Sequence, residues 1–528
     1  MMKKSSVITG AAVLFAANIV VKITGVIFKI PVQHIIGDTG MGYFNVAYSI
    51  YIWFYLICTA GLPVAVSICV ARAAAEENHG KCERIFRVSL ISFSGAGALF
   101  TVSMAIFSRG FSALSGIDNS YLCISAIAPS VFLSCVSSSV RGYYQGRGIM
   151  WITAVSQVIE SAGKAIFGVI FALYSSGKGD SLYVTSAYAV FGITCGSFLS
   201  AVFCIITKAF YKRIKEEKSV REKVLPELIK TALPVTLSAS VMNLTSLIDA
   251  FTAPSNLISF GYTKLQAASI YGNYSTLCLS YSNLPLSFIY PVTSAVLPVL
   301  SAKRSLNDMA AFNELIGKVY KYTLFVSLPC AVGMGVLSYR VLSVVFPQQS
   351  AYLASPMLTV LSPSVVLCAL LAVSDTALQS CGKPSYPLFS MVCGAVIKLI
   401  TTFILFKTTH LGRLSIPLGT CLCYFTAVII NTVLSQKRCG IRPYYKSIVK
   451  PAFCAAVSGA FAYVLNHFTC MYLTDTVSTV VTILLTCSVY LLTIKFTRYI
   501  DKSELLNLFS NKEEYKNGGI QKKREVRI

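Results

Sequence analysis

Long apolar runs separated by short polar stretches make up almost the whole chain. Fourteen of these runs are long enough for a membrane helix, which needs about 17–25 residues. They lie near 7–30, 43–71, 85–107, 120–140, 150–174, 183–206, 226–252, 269–300, 317–338, 352–381, 385–407, 414–434, 448–468 and 476–494. We therefore predict an all-α integral membrane protein with fourteen transmembrane helices.

The first run and a later polar linker define the predicted organisation. The first run follows two lysines, as in a signal peptide, but it continues to Pro31, beyond the ~7–15 apolar residues of such a peptide. We interpret it as a retained span. The predicted units are an N-lobe (1–207), a basic cytoplasmic linker (208–225), a C-lobe (226–434), two further helices (435–494) and a basic cytoplasmic tail (495–528).

The two lobes contain an internal repeat. The segment APSVFLSCVSSSVRGYYQGRG begins at Ala128, and the matching segment SPSVVLCALLAVSDTALQSCG begins at Ser362. The same offset, without a gap, aligns Lys164 with Lys398. Because each lobe has an even number of spans, both lobes enter the membrane from the same side. This predicts a parallel repeat, with two pseudo-symmetric six-helix lobes around a central cavity.

Composition and charge fit this interpretation. Of the 528 residues, 55% are hydrophobic and 12% are charged, about half the ~25% of a soluble domain. With the N-terminus in the cytoplasm, 34 of the 45 Lys and Arg residues fall in inner loops and the tail, and six fall in outer loops. This bias predicts a protein of the cytoplasmic membrane with both termini in the cytoplasm. It also accounts for the net charge of +24 without a nucleic-acid partner.

No sequence pattern indicates catalysis or a metal site. The 18 cysteines lie mostly in apolar runs, and no CxxC pair or Cys/His cluster has the spacing of metal ligands. A Walker A loop is also absent from the sequence. We predict a non-enzymatic protein without metal or cofactor, whose energy source is an H⁺ or Na⁺ gradient or the membrane potential.

Two lysines occupy the first apolar run, although a lysine at the membrane centre costs about 2.5–3.5 kcal/mol. Lys22 and Lys29 are seven residues apart and share one helix face, with Asn18 one turn before Lys22. This polar stripe fits an extended anion such as a diphosphate. The alternative is that Lys29 lies near the outer end of the helix and extends to the interface.

Further ionisable residues are predicted inside the membrane: Glu160, Lys164, Lys230, Asp249, Asp375 and Lys398. Glu160 and Lys164 have the i, i+4 spacing of an ion pair, so they either neutralise each other or bind a ligand. Lys398 repeats Lys164 without an acid four residues before it, which predicts a less compensated charge.

The remaining charges receive simpler interpretations. Candidates for binding a coupling ion, H⁺ or Na⁺, are Asp249, Asp375 and Glu160. Lys230 is interpreted as an anchor at the inner interface. The predicted positions at inner helix ends make Arg72 and Arg141 ordinary positive-inside charges.

Three segments carry a resemblance to a known family. They are KITGVIFKIPVQHIIGDTGMGYFNVAYSIY, TAGLPVAVSICVARAAAE and RGYYQGRGIMWITAVSQVIE. They resemble the stage V sporulation protein B group of polysaccharide-export proteins, in the multidrug/oligosaccharidyl-lipid/polysaccharide (MOP) exporter superfamily beside the lipid II flippases. The resemblance is densest over 20–165 and extends to the full length through the fourteen-span layout.

This resemblance implies a flippase that moves an undecaprenyl-diphosphate-linked saccharide across the cytoplasmic membrane by alternating access, surrounded by membrane lipids. In the family, basic residues of the first helix face the cavity and are proposed to engage the diphosphate. The matching positions are Lys22 and Lys29, where the family usually has arginine. Lys164 and Lys398 are further candidates for this anionic ligand. The last two helices resemble a pair that borders a groove for the polyprenyl tail.

Two alternatives remain open at this point. One is an H⁺- or Na⁺-coupled multidrug or metabolite antiporter of the same superfamily, although such proteins usually have twelve spans. The five intramembrane lysines, against three acids, favour an anionic substrate instead. The other alternative is a non-transporting membrane scaffold for envelope-synthesis enzymes.

Overall fold

Helices account for nearly all of the described chain, which comprises residues 4–210, 224–441, 446–472, 474–497 and 499 of a computed structural model. The α-helices are α1 (Lys4–Thr59), α2 (Leu62–Ala75), α3 (His79–Ile106), α4 (Ser108–Ser115), α5 (Tyr121–Ile127), α6 (Pro129–Gly146), α7 (Met150–Gly177), α8 (Leu182–Phe210), α9 (Val224–Met242), α10 (Leu244–Phe260), α11 (Lys264–Asn273), α12 (Leu279–Asn283), α13 (Leu286–Ser305), α14 (Met309–Val336), α15 (Ser338–Ser343), α16 (Gln348–Leu361), α17 (Pro363–Ser380), α18 (Ser385–Thr408), α19 (Ser415–Cys439), α20 (Lys446–Tyr472) and α21 (Asp475–Phe496). Two 3₁₀ turns (Asp118–Ser120 and Gly412–Leu414) and one π-helix (Tyr274–Cys278) complete the order. Most of the predicted linker 208–225 and tail 495–528 lies outside the described residues.

The predicted spans correspond to these helices. Twelve stretches of the described chain are long and apolar enough to cross a membrane, and the first, Ala16–Ala75, covers most of the first predicted run and all of the second. Helices α9 and α10 cover the seventh run, and the eighth extends from α11 through the π-helix to α13. The all-α membrane architecture is therefore confirmed, and each of the fourteen predicted runs falls on helical structure.

The first two spans are separated by a glycine break. Gly37, within α1, adopts φ 61° and ψ −173°, a conformation that essentially only glycine adopts without strain. Residues 4–36 and 38–59 therefore form two helical segments. This reversal brings the first segment, which carries both lysines, back against the second.

Helix bounds and packing repeat along the chain. α6 and α17 are both 18 residues long and both begin with proline, and their first residues, Pro129 and Pro363, are related by the offset of the sequence repeat. α6 packs on α2, α3 and α8, whereas α17 packs on α13, α14 and α19, the helices at the same offset. The internal repeat found in the sequence is thus a repeat of structure. Below, the N-terminal half means α1–α8 and the C-terminal half means α9–α19.

The two halves meet closely at both predicted sides of the membrane. At the outer side a Cβ on Gly42 would lie 2.2 Å from the carbonyl oxygen of Ala268, so only glycine permits this crossing of α1 and α11. At the inner side a Cβ on Gly61 would lie 2.2 Å from the carbonyl oxygen of Ala232. One large cluster of buried apolar side chains also includes residues of both halves.

The eighth span contains the π-helix of the described chain. Tyr274–Cys278 forms this wider turn between α11 and α12, and Pro285 precedes α13. Single π turns occur mostly where one residue has been inserted into an α-helix, often at functional positions. The segment immediately after it faces the first helix.

Candidate functional site

The two lysines of the first helix contact the eighth span. Lys22 Nζ donates to Ser287 Oγ at 3.3 Å, and Lys29 Nζ donates to Ser280 Oγ at 2.9 Å. The two serines are seven residues apart, as are the two lysines, so two helix faces with the same spacing oppose each other. Lys22 and Lys29 thus lie on the side of α1 that faces the C-terminal half. Asn18, one turn earlier, is exposed.

Lys164 lies in a cavity within the N-terminal half. The cavity has a volume of about 220 Å³, and its walls come from α1, α6, α7 and α8. The Nζ atom of Lys164 lies 5.5 Å from the ring centre of Phe28 and 5.9 Å from that of Tyr48, within range of a cation–π interaction. Lys164 is therefore close to the first helix, beside Lys29.

The predicted interpretation of Arg141 as an ordinary inner charge is wrong. Its side chain is buried at 5% exposure, and its Nη2 donates to Glu160 Oε2 at 2.6 Å. Arg141 Nε also donates to Ser156 Oγ, and Nη2 donates to Ser200 Oγ, at 2.8 Å each. Glu160 thus pairs with Arg141, and the i, i+4 pair expected between Glu160 and Lys164 is replaced by this longer-range one.

Lys398 is also compensated, contrary to the expectation from its local sequence. Its Nζ lies 2.7 Å from Asp249 Oδ2, and both side chains are buried. It also donates to the carbonyl of Thr245 at 3.2 Å. The acid that neutralises Lys398 comes from α10, which α18 packs against, rather than from its own helix. The sequence makes both Lys398 and Asp249 candidates for ligand binding, but in the structure each neutralises the charge of the other.

Asp375 has a different environment. Asn431 Nδ2 donates to Asp375 Oδ1 at 2.6 Å, and the carboxylate has no ion-pair partner among the described residues. Asn431 is buried, and its Oδ1 atom has no hydrogen-bond partner in the described part of the chain. At the offset of the internal repeat, Asp375 corresponds to Arg141, so equivalent buried positions carry opposite charges.

The last sequence candidates are Lys230 and a possible group of metal ligands. Lys230 is exposed on α9 near the inner end of its helix, as an interfacial anchor would be. Within the ranges that the structure describes, no group of three or more His, Cys, Asp or Glu side chains could hold a metal ion.

One polar cluster, at the predicted outer side, is absent from the sequence candidates. Asp38 Oδ1 accepts from Gln33 Nε2 and from Ser350 Oγ, both at 2.6 Å, and Oδ2 accepts from Asn273 Nδ2 at 2.9 Å. Gln33 belongs to the N-terminal half, whereas Asn273 and Ser350 belong to the C-terminal half. Asp38 therefore ties the two halves together next to the Gly42 crossing. The sequence signal for this cluster is the position of Asp38, a carboxylate in the short connection between the first two predicted spans.

The two halves have a weaker connection at the predicted inner side. Arg72 Nη1 lies 2.6 Å from Glu227 Oε1, joining α2 to α9 across the two halves. Both side chains are substantially exposed, and exposed ion pairs typically contribute about 0–1 kcal/mol. The outer connection, with three donors on one carboxylate, is the more extensive of the two.

Comparison with known proteins gives relatives that match most of the chain. The chain is 22% identical over 523 residues to stage V sporulation protein B of Bacillus subtilis, covering 96% of this chain and 98% of that protein. It is 24% identical over 474 residues to the lipid II flippase MurJ of the same organism, covering 84% and 85%. The resemblance stated from the sequence segments is confirmed.

Solved structures share the fold. A lipid II flippase MurJ in an inward closed conformation superposes with a TM-score of 0.65 at 18% identity, covering 92% of this chain and 98% of that chain. An inward-facing multidrug resistance MATE family transporter of the MOP superfamily gives 0.64 at 16% identity, covering 79% and 98%. A family model described as polysaccharide biosynthesis protein matches residues 7–303, more than half of the sequence. This chain is a multi-pass membrane protein that belongs to the polysaccharide biosynthesis protein family.

Proposed function

We propose that the protein is a flippase that moves an undecaprenyl-diphosphate-linked saccharide from the inner to the outer leaflet of the cytoplasmic membrane. The saccharide is a precursor of the cell wall, the spore cortex or a surface polysaccharide. The two halves would alternate between opening inward and opening outward, with both termini in the cytoplasm. Family membership and the similarity to the two Bacillus subtilis relatives support this proposal.

The contact between the two lysines and the eighth span carries the proposal. Lys22 and Lys29 are separated by two helical turns, about 10.5 Å along the axis. Their hydrogen-bond partners in the described structure are serine hydroxyls, so no carboxylate neutralises either ammonium group there. A diphosphate would replace the neutral serines as an anionic acceptor, so each ammonium group would gain an opposite charge as well as a short hydrogen bond.

Other candidates take smaller roles in this proposal. Asn18 would extend the polar stripe by one turn, and Lys164 would add positive charge from α7. Lys398 is left out of the substrate site because its ammonium group is committed to Asp249. The polyprenyl tail would remain in the bilayer beside α20 and α21.

Asp375 is the proposed coupling residue. Glu160 and Asp249 are each held by a cation, whereas Asp375 is held by the neutral amide of Asn431. A buried carboxylate without a cation favours binding of a proton or Na⁺. Transport would then use an ion gradient or the membrane potential. A buried carboxylate without a cation partner also favours the second candidate function, an ion-coupled antiporter.

Native mass spectrometry of the gently purified protein tests the flippase. We expect a bound undecaprenyl-diphosphate saccharide in the unmodified protein, and we expect its loss from the Lys22→Ala/Lys29→Ala variant. Lys230→Ala is the matched control, because it removes an exposed lysine outside the stripe. Ordinary phospholipids alone in all three proteins would overturn the proposal and direct attention to cation antiport through Asp375.

A further inference from the structure

We propose that the N-terminal cavity binds the single sugar unit next to the diphosphate. This inference rests on the proposed function and adds a site for the head group to it. The cavity lies between the second segment of α1 and α7, with Arg141 of α6 at its wall. Its two long walls have different chemistry, one aromatic and one polar.

The aromatic wall consists of three tyrosines on one face of α1. Tyr48, Tyr51 and Tyr55 are spaced at i, i+3 and i+7, and successive ring centres are 5.9 Å and 5.5 Å apart. Their rings form a continuous ladder beside the cavity. Tyrosine combines a large apolar ring face with a polar tip, so this wall can cover the C–H face of a sugar ring.

The polar wall consists of α7 residues at the spacing of one helix face. Gln157, Glu160, Ser161 and Lys164 all line the cavity. Gln157 Oε1 is buried and has no hydrogen-bond partner within the described residues. An unpaired buried acceptor is unfavourable, and a turn of the Gln157 side chain into the cavity would let a sugar hydroxyl donate to this oxygen and remove that cost. The cavity therefore has both an apolar face and an unused acceptor.

Position and size agree with one sugar ring. Val21, beside Lys22, lines the cavity, and Lys164 approaches the ring of Phe28, beside Lys29. A sugar attached to a diphosphate held by these lysines would have only a short distance to reach the cavity. The volume of about 220 Å³ corresponds to about seven water molecules. It is smaller than the ~300–1,000 Å³ pockets that hold drug-sized ligands, and its size suits one sugar ring.

The internal repeat shows which of these residues are specific to the N-terminal half. At the offset that aligns Lys164 with Lys398, the three tyrosines correspond to Ser282, Pro285 and Ile289. Gln157 corresponds to Met391, and Glu160 corresponds to Gly394. The helices repeat, but the cavity-lining chemistry does not, apart from the lysine. The aromatic and polar walls are therefore a feature of the N-terminal half alone.

Binding measurements in nanodiscs test the sugar site. The probes are bare undecaprenyl diphosphate and undecaprenyl diphosphate that carries one glucose, galactose or N-acetylglucosamine. We expect the unmodified protein to bind at least one single-sugar lipid about tenfold more tightly than the bare lipid. Gln157→Leu and Tyr55→Leu should each abolish most of that preference and change affinity for the bare lipid less than twofold. Gln379→Leu, which removes an exposed glutamine outside the cavity, should keep the preference.

The binding results distinguish failure of the sugar site from failure of the proposed flippase function. If the unmodified protein binds neither bare nor sugar-bearing lipid, the proposed function fails. If it binds all the lipids equally, or if both cavity variants keep the preference as Gln379→Leu does, the sugar site is overturned and the diphosphate site stands. A variant that loses the bare lipid as well would contradict the assignment of its residue to the sugar alone.

Discussion

Lys398 and Asp249 form an ion pair with 2.7 Å between Nζ and Oδ2, and both side chains are buried inside the C-terminal half. Removing one partner of such a pair leaves an isolated charge away from water. The pair joins α18 to α10, so its energetic contribution bears on the packing of this half rather than on a ligand.

Replacing Lys398 with methionine should therefore lower the free energy of unfolding by about 3–5 kcal/mol. The double variant Lys398→Met/Asp249→Asn should recover most of this loss, because no unpaired charge remains buried. Thermal unfolding in detergent, arranged as a double-mutant cycle, measures the difference. Lys407→Met, on the same helix but exposed, is the control. A single variant as stable as the double variant would contradict a structural role.

The lysine stripe can be strengthened. Lys22→Arg/Lys29→Arg keeps both charges and adds guanidinium groups that bind phosphate oxygens through two parallel hydrogen bonds. We expect tighter binding of undecaprenyl diphosphate, by about 1 kcal/mol or fivefold, in titrations of the nanodisc-embedded protein. Unchanged affinity in this variant, with loss of binding in the alanine variant, would mean that the lysines act as point charges alone.

The close crossing of α1 and α11 predicts sensitivity at Gly42. An alanine there would place its Cβ 2.2 Å from the carbonyl oxygen of Ala268, so the outer contact between the halves has to separate. Hydrogen–deuterium exchange should become faster in Lys264–Asn273. Gly333→Ala provides the control, because a Cβ at Gly333 has no atom within 4 Å. Equal exchange in both variants would show that the crossing tolerates separation of the helices by other means.

Asp38 should hold the same outer contact by hydrogen bonding. Asp38→Ala removes the acceptor of three donors and leaves the amides of Gln33 and Asn273 buried, at about 1–3 kcal/mol for each unpaired group. We expect faster exchange in Gln348–Leu361 as well as in Lys264–Asn273. The inner variant Arg72→Ala, which removes only an exposed ion pair, should change exchange little.

Ion coupling is testable at Asp375. Asp375→Asn keeps the shape of the side chain and the contact with Asn431 but cannot bind a proton or a cation as a carboxylate does. In proteoliposomes, transport of the lipid-linked saccharide should lose its dependence on an imposed H⁺ or Na⁺ gradient. Ser374→Ala removes a neighbouring hydroxyl bonded to the same asparagine and serves as the control. Retained gradient dependence in Asp375→Asn would exclude this residue from coupling.

The sequence predicted those features that depend on one helix at a time. Apolar length located the spans, and the period of the α-helix placed Lys22 and Lys29 on a single face. Repeat matching aligned α6 with α17 and Lys164 with Lys398. Each of these inferences needs only local periodicity or a fixed offset, and these are properties of the linear chain.

The ion pairs were not predictable in this way. Arg141 reaches Glu160 on the next helix, and Asp249 reaches Lys398 on a helix far along the chain. Local spacing instead suggested a pair between Glu160 and Lys164. Which helices pack side by side is decided by the tertiary fold, so a charge without a neighbour in its own helix can still be compensated.

The π-helix of the eighth span sets the direction in which the serines after it point. The wider turn absorbs one residue that would otherwise rotate the following helix by about 100°. Ser280 and Ser287 follow that turn, and with it they meet Lys29 and Lys22. If 274–278 formed a regular α-helix with the same five residues, the span would be equally apolar, yet both hydroxyls would rotate by about 100° away from the lysines. Deleting one residue there would instead let an α-helix form with both hydroxyls still facing the lysines. In this segment the rotational phase of the helix matters more than its composition.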